Sequence, residues 1–515
     1  VTALRLKTAV VGGLLLAAAT PPAWFAGAEF AVVLGLAAWY AVATAARRPL
    51  WGSYLLGCVH MACFSWSVRH VLLPAYLFIV LMGGVYFVVA TAAVRRVGPQ
   101  RRAWAFAVAA AASFWLRAEM PEICYPHGQP CHALWEHPWL LGGVRLGGEP
   151  LVNALLAAVG AWLVEGWRAW RVAAMPMRSA VGGCAAAVAA WLVVAWLGSA
   201  PPPPPVATVR VGIIEPGLHP FDSYASADAR TFRRLFEERY LAPTSDLLRR
   251  DDAPELVLWP ESSLWERFAE DRLSRRNPRL DFGLPLGDRR LLLGALLARD
   301  VRTTPIAVLV GAEGQVHGWH EKRRLVPGGE FLPFVDWLPE SAAAAVYQAF
   351  RQALGSAPDC AHGRPRAPLQ TTSGVPFAAL SCYDNAFAEP TGEQVAAGAR
   401  LVAVLSNEAW YRGGAELTQL VAMTVCRAIE CRVPFVRCTM DGWSVAIGAD
   451  GRLLAAAPLQ AAPRATAATL VVDVPVAAAS DPGPLALRRA AGPVAAGLLV
   501  LLLAMGWCRR RTAPA

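Results

Sequence analysis

Apolar residues form long runs over the first two hundred positions of the chain and short alternating runs after them. Runs at 8–20, 23–46, 50–66, 71–94, 103–116, 150–167 and 180–197 are rich in Ala, Leu, Val and Trp, and an eighth lies at 490–507. Most approach the roughly 20 residues that a helix needs to cross a bilayer. Each therefore predicts a helix that is apolar on every side. The first run is short and ends at Pro21–Pro22. A signal peptide would be followed by a small-residue cleavage site and a soluble region, whereas here further spans follow at once.

Between the seventh and eighth runs the period changes. VATVRVGIIEP alternates at Val209, Val211 and Ile213, which predicts a strand. In DARTFRRLFEERYLAPTSDLL, Phe232, Leu235, Phe236 and Tyr240 share one helical face. ELVLWPESS reads as a short strand ending in a turn. RRLLLGALLA, TPIAVLVGAEG, VPFAALSCYD and RLVAVLSNEAW read as further buried strands. ELTQLVAMTVCRAIECRVP predicts a helix, and FVRCTMDGWSVAIGADGRLL a hairpin-like pair around ADG. Strands alternating with helices predict a layered α/β sandwich. Five prolines at Pro201–Pro205 form a stiff extended spacer at its entrance. The expected organisation is a membrane domain over 1–200 with about seven transmembrane helices and an α/β domain over 206–478. A C-terminal transmembrane helix over 488–508 and a cytoplasmic tail over 509–515 complete it. The fold class is thus a polytopic α-helical membrane protein of about eight spans that carries an α/β sandwich.

Composition strengthens the membrane reading: 56% of the 515 residues are hydrophobic and only 17% are charged, too apolar a balance for an ordinary soluble enzyme. The net charge of +10 would suit a nucleic-acid binder, but its placement does not. Arginines cluster at 47–48, 95–102, 168–171 and 509–511, in the short gaps beside apolar runs, as in loops retained on the cytoplasmic side. With Arg5 and Lys7 inside, every second gap carries such a cluster. The 117–149 loop and the whole α/β domain then face outward, and no nucleic-acid partner is expected. The 117–149 loop holds Cys124, His127, Cys131, His132, Trp135 and Trp139. A Cys124–Cys131 disulfide suits an outward loop. A metal site from His127, Cys131 and His132 is the less favoured reading, and the tryptophans suit a membrane interface. The α/β region has no Gly-rich phosphate loop and no zinc spacing, so neither cofactor nor metal is expected.

Three reactive side chains stand at predicted strand ends: Glu261 after LVLWP, Lys322 in WHEKRRLVPGGE and Cys382 after VPFAALS. Singly each has a plain reading, as a turn carboxylate, part of a solvated basic face, and a buried inert thiol. Together they suffice for acyl transfer. The carboxylate takes the thiol proton. The thiolate attacks a carbonyl and keeps the acyl group as a thioester. The ammonium, with a backbone N–H near Cys382, stabilises the oxyanion.

LVLWPESSLW, EKRRLVPGGEFLP, SCYDNAF, SNEAWY and CRAIECRVPFVR, in that order, resemble the nitrilase (carbon-nitrogen hydrolase) superfamily. With seven apolar runs before the domain and one after it, the whole chain resembles the apolipoprotein N-acyltransferase family. The resemblance implies a nitrilase-like αββα sandwich. It also implies transfer of an acyl chain from a phospholipid, through a cysteine thioester, to the α-amino group of the diacylglyceryl-cysteine of an apolipoprotein. Carried onto this sequence, it makes Glu261 the base, Lys322 the transition-state stabiliser and Cys382 the nucleophile. Glu330 matches a second glutamate, Tyr383 the tyrosine beside the nucleophile and Trp410 a substrate-side aromatic. The partners implied are the phospholipid donor and the diacylglyceryl-apolipoprotein acceptor, for a monomer in the bacterial cytoplasmic (inner) membrane with its catalytic domain on the periplasmic side. Several positions depart from the family pattern: Asp384 replaces the usual Glu, Gly328 a Phe, and Met440–Asp441–Gly442 an Asn-Asn-Gly, while TTPIAVLV lacks a preceding Tyr-Asn stretch. FLPFVDWLPESAAAAVYQAF is apolar enough for a lid dipping into the interface, or for an amphipathic helix packed on the sheet. Two other functions stay open: a membrane-tethered nitrilase-type amidase, and a catalytically altered homologue that binds lipoproteins.

Overall fold

A helix forms at each apolar run: Thr2–Ala19, Ala31–Ala45, Pro49–Phe64, Leu73–Val94, Arg102–Glu119, Gly143–Val172, Met177–Gly198 and Leu485–Arg511. The computed structural model describes residues 2–172, 175–219, 228–273, 275–299, 302–354, 357–459 and 466–511. Residues 512–515 of the expected tail lie outside the described residues. Five segments are long and apolar enough to cross a membrane: Ala28–Ala45, Leu73–Val94, Gly143–Arg171, Met177–Gly198 and Leu485–Met505. The helices Thr2–Ala19, Pro49–Phe64 and Arg102–Glu119 do not meet that standard among the described residues. The helix expected from residue 23 starts later because Gly27, at φ +86°, sets a turn ahead of it.

The chain divides into two compact units. The helical unit comprises Val1–Pro201, Thr418–Glu430 and Gly483–Ala515. Several of its buried polar groups pair with one another inside it, as suits positions that water does not reach. Trp39 Nε1 donates to Thr91 Oγ1 at 3.1 Å, and that hydroxyl donates to Ser53 Oγ at 2.7 Å. Tyr40 donates to Glu165 Oε1 at 2.6 Å, and Arg168 neutralises the same carboxylate. The 117–149 segment is folded into this unit rather than solvated. Arg117 is buried and donates to the His127 carbonyl, and Gln129 Nε2 donates to the Phe114 carbonyl at 3.1 Å. Cys124 and Cys131 are both buried, and the disulfide that an outward loop would allow does not join them.

The α/β unit comprises Pro202–Leu417 and Cys431–Pro482. Its first sheet is built from β1 (Pro205–Glu215), β2 (Leu256–Leu258), β3 (Arg267–Phe268), β4 (Arg290–Arg299), β5 (Arg302–Val310) and β6 (Val316–Glu321), with the last strand of the unit at its edge. Its second sheet runs β7 (Leu369–Gln370), β8 (Pro376–Ser381), β9 (Leu401–Ser406), β10 (Phe435–Thr439), β11 (Val445–Ile447) and β12 (Leu453–Ala456). The edge strand of the first sheet is β13 (Ala468–Ala477), antiparallel to β1 with Val209 opposite Val474.

Alternation along the strands sorts the side chains between two cores. Val209, Val211, Ile213, Leu256, Leu258, Ala307 and Leu309 face Phe377, Ala379, Leu401, Ala403, Leu405 and Val436 between the sheets. Ile214, Val257, Leu291, Leu293, Val308 and Val310 take the other face of the first sheet, under Tyr240, Leu247 and Leu248. The sequence FVRCTMDGWSVAIGADGRLL forms the hairpin pair around ADG as β11 and β12, joined through Gly448–Arg452, and β10 adds a third strand beside β11.

β8 and β9 are parallel, as are β9 and β10, and β1, β2 and β4 are parallel neighbours in the other sheet. The carboxyl ends of parallel strands are where such sheets present reactive groups. The helix Glu340–Leu354 has no buried residue among those described, and Trp337 before it is 73% exposed. Ala342, Ala343, Val346, Tyr347 and Phe350 are half-buried along one face of the helix, the spacing of an amphipathic helix with its apolar side partly covered.

Candidate active site

Glu261, Lys322 and Cys382, some 120 residues apart at the extremes, meet at the strand ends of the α/β unit. Each is placed by backbone contacts rather than by its own side chain. Trp259 N donates to the Leu292 carbonyl at the end of β2. The turn carrying Glu261 is then clasped by Gly294 of β4, whose N donates to the Pro260 carbonyl and whose carbonyl accepts from Leu264 N at 3.0 Å. A Cβ on Gly294 would stand 2.7 Å from Glu261 Cα and 2.7 Å from Ser262 N. That requirement explains a glycine inside an otherwise aliphatic strand. Gly294→Ala is expected to displace the Glu261 turn, lower stability by about 1–3 kcal/mol and slow any chemistry at Cys382. Thermal unfolding and the rate of Cys382 acylation read the two effects.

Lys322 follows β6, with its N donating to the Pro305 carbonyl at 2.8 Å and its carbonyl accepting from Gly363 N at 2.7 Å. Its side chain is fully buried. Nζ donates to Glu261 Oε1 at 2.8 Å and to Glu330 Oε1 at 2.7 Å. The other oxygen of Glu330 accepts from Val326 N at 2.8 Å, which locks the loop in place. Gly328 in this loop has φ +76°, a conformation that favours glycine over the phenylalanine of the family pattern.

Cys382 begins the 3-10 turn Cys382–Ala386 directly after β8, at φ +43°, a left-handed conformation strained for a side-chain-bearing residue. Its partly exposed thiol receives a contact from Ser406 Oγ at 3.4 Å, and it hydrogen-bonds the Glu261 carboxylate. Ser406 ends β9 as Cys382 follows β8, so neighbouring parallel strands deliver both groups.

Burial and the Glu261 charge push the Cys382 thiol up to about 12, against the opposing pull of Lys322 and the Ser406 hydroxyl. Burial likewise raises the Glu261 carboxyl, Lys322 opposes this, and Glu330 adds to it. For Lys322, burial disfavours the ammonium, but Glu261 and Glu330 outweigh it and hold its pKa well above the ordinary lysine value. The group is therefore a fixed cation between two carboxylates, beside a protonated thiol.

Asp384 is fully buried. Its Oδ1 accepts from Arg323 N at 3.0 Å and Arg324 N at 2.8 Å, and its Oδ2 accepts from Ser381 N at 3.3 Å and meets His320 Nε2 at 3.4 Å. The carboxylate ties the lysine loop to the cysteine turn, and both its oxygens are occupied by this. The arginines after Lys322 are not a solvated face, since Arg323 pairs with Glu389 and Glu393, and Arg324 with Glu389. Tyr383 is buried against Phe387, with ring centroids 5.2 Å apart. Trp410 stands half-buried in the turn Ala409–Tyr411. Met440 packs in the outer core of the first sheet with its sulfur 3.2 Å from the Tyr240 hydroxyl. In TTPIAVLV, Thr304 Oγ1 donates to the Ala361 carbonyl at 3.1 Å.

Sequence reasoning missed Ser406 and Gly294. Ser406 carries the same signal as Cys382, a polar residue ending an aliphatic run. Gly294 carries the signal of a lone glycine in a leucine-rich strand.

A carbon-nitrogen hydrolase family model matches residues 306–479, and an apolipoprotein N-acyltransferase N-terminal domain model matches residues 12–162. Among curated proteins, an apolipoprotein N-acyltransferase of Gloeobacter violaceus is 29% identical over 64% of this chain and 59% of its own length. One of Sinorhizobium medicae is 27% identical over 50% and 47%, and apolipoprotein N-acyltransferase 2 of Treponema pallidum 29% over 43% and 40%. The chain thus spans about half the length of the curated relatives it matches. Among solved structures, a variant of the Nesterenkonia AN1 amidase from the nitrilase superfamily is 18% identical, covers 56% of this chain and 97% of its own, and has a TM-score of 0.36. A carbon-nitrogen hydrolase of Helicobacter pylori is 14% identical, with coverages of 55% and 93% and a TM-score of 0.34. The N-terminal model falls on the helical unit, the hydrolase model falls on the α/β unit and these relatives share one name, so the chain is similar in both units to the apolipoprotein N-acyltransferase family.

Proposed function

We propose that the chain is an N-acyltransferase that moves an acyl chain from a phospholipid to the α-amino group of a diacylglyceryl-cysteine at the N-terminus of an apolipoprotein. The observation that carries this is the meeting of a buried ammonium, a carboxylate hydrogen-bonded to it, and a partly exposed thiol at strand ends. Glu261 takes the proton from Cys382 Sγ as the sulfur attacks the ester carbonyl of the donor. Lys322 faces the oxyanion, and Glu330 keeps that ammonium in place. Collapse breaks the acyl C–O bond, and Glu261 returns its proton to the departing lysophospholipid alkoxide. The amine of the acceptor then attacks the thioester and loses a proton to Glu261. The expelled Cys382 sulfur recovers that proton, leaving an amide and the resting enzyme. Asp384 is a positioning residue in this scheme, while Tyr383 and Trp410 stand beside the reacting sulfur and the acceptor.

A lipid donor and a lipid-anchored acceptor both call for a site reached from within a membrane. The apolar helices and the alternating arginine clusters support an inner-membrane protein of about eight spans, with the α/β unit on the periplasmic side. The test is the intact mass of the purified chain after incubation with phosphatidylethanolamine in detergent micelles. Wild type gains one acyl group that hydroxylamine removes, and Cys382→Ala gains none. Added diacylglyceryl lipopeptide discharges the adduct into a triacylated product. An adduct that persists in Cys382→Ala, or none in wild type, overturns the reading. Discharge to water alone points instead to an amidase-type hydrolase.

A further inference from the structure

The helical unit contains a second cluster of reactive side chains that the acyl chemistry does not use. Cys131, His132, Glu149 and Cys426 place one ligand atom each within 4.8 Å of one another. Cys131 and Cys426 are fully buried and His132 is 1% exposed. They arrive from three segments. The 3-10 turn Pro130–Leu134 gives Cys131 and His132. The break at Gly147–Gly148 in Gly143–Val172, where Gly148 takes φ +66°, turns Glu149 inward at the start of the long helical stretch. The helix Glu416–Cys431 gives Cys426. His127, which the sequence grouped with Cys131 and His132, is not a member, because its Nδ1 is taken by Gln419 Oε1 at 3.1 Å.

We propose that these four side chains form a structural binding site for a thiophilic divalent cation, zinc before others. Two sulfurs, an imidazole nitrogen and a carboxylate oxygen are a complete donor set for tetrahedral zinc, with no open position for catalysis. His132 Nε2 and Glu149 Oε1 stand 3.1 Å apart. That is close to the edge of about 3.3 Å for a tetrahedron with arms of about 2.0 Å. The charge balance also fits. A divalent cation that displaces the two thiol protons leaves the net charge of the buried cluster unchanged. Arg427 donates to Glu149 Oε1 at 2.6 Å and to Glu430 Oε1 at 3.0 Å, so the ligating carboxylate has an outer partner that orients it. The cation would fasten the 117–149 segment to the neighbouring helices of the same unit, where the sequence had suggested a disulfide instead.

The test uses the full chain in detergent micelles, purified without chelator from cells grown with added zinc. Elemental analysis should find about one zinc per chain. Cobalt loading should give the near-ultraviolet sulfur-to-cobalt absorption that marks thiolate ligation. Cys131→Ser/Cys426→Ser should lose at least about tenfold of the bound metal, while Cys124→Ser keeps it. In wild type, stripping with 1,10-phenanthroline should lower the unfolding temperature and added zinc should restore it, a readout that needs no variant to fold. The proposal fails if wild type binds neither zinc nor cobalt stoichiometrically. It also fails if the serine pair retains the metal, or if peptide mapping finds Cys131 and Cys426 joined as a disulfide.

Discussion

Exchanging Lys322 for methionine is expected to lower acylation of Cys382 by about 10²–10³-fold, as loss of one oxyanion partner does, and also to weaken the fold. The second effect follows from burial. The ammonium lies between Glu261 and Glu330 at 2.8 and 2.7 Å, and its removal leaves two facing carboxylates with no cation. Breaking one partner out of such a buried pair costs about 3–5 kcal/mol. The loss depends on pH with a definite sign. Burial already raises the Glu261 carboxyl, and without Lys322 it rises further. A carboxyl raised in the folded state contributes stability below its unfolded value of about 4.3 and loses it as the pH climbs through the folded value. The gap between variant and wild type should therefore narrow toward acid and widen toward neutrality. Denaturant unfolding at several pH values checks this. Adding Glu330→Gln should restore part of the stability and none of the rate, which separates the two roles of the lysine.

Glu261→Gln should drive two readouts of Cys382 in opposite directions. In the proposed role of general base, Glu261 would account for about 10²–10⁴-fold in acylation, and the amide cannot take the proton. Yet the Glu261 charge is also one of the causes that lift the Cys382 thiol to about 12. A thiol raised in this way by burial and a neighbouring carboxylate rests protonated, so its proton must leave as the sulfur attacks. Removing the carboxylate while Lys322 keeps Glu330 as its partner should lower the thiol pKa. Alkylation by iodoacetamide, which needs only thiolate, should then quicken by about tenfold for each unit of that change. Acylation by phospholipid should meanwhile fall. Alkylation and acylation that slow together would show that Glu261 merely holds the site open.

The parts of this molecule legible in its sequence are those whose signal is local. An apolar run announces a helix, and an aliphatic run ending in Glu, Lys or Cys announces a strand that presents a reactive group. That suffices for the helices and for the placing of Glu261, Lys322 and Cys382. What stayed hidden depends on contacts between distant segments. In the sequence Asp384 is only a shorter carboxylate in place of the usual Glu, whereas in the fold its carboxylate is held by the backbone of Arg323 and Arg324, some sixty residues earlier. Glu149 and Cys426 lie 277 residues apart, and no periodicity joins them to Cys131 and His132.

The pairing of β1 with β13 also sets a timetable for biosynthesis. Along one edge, Val209 and its neighbours find their partners only in Val474 and its neighbours. At typical elongation rates of about 5–20 residues per second, the roughly 260 residues between the two strands take some 13–50 seconds to emerge from a ribosome. Throughout that time the first strand of the sheet has one open, aliphatic edge, a template for any other nascent strand. The last strand made is thus the one that seals the first. A chain released before residue 477 would keep that edge sticky even with its reactive cysteine already in place.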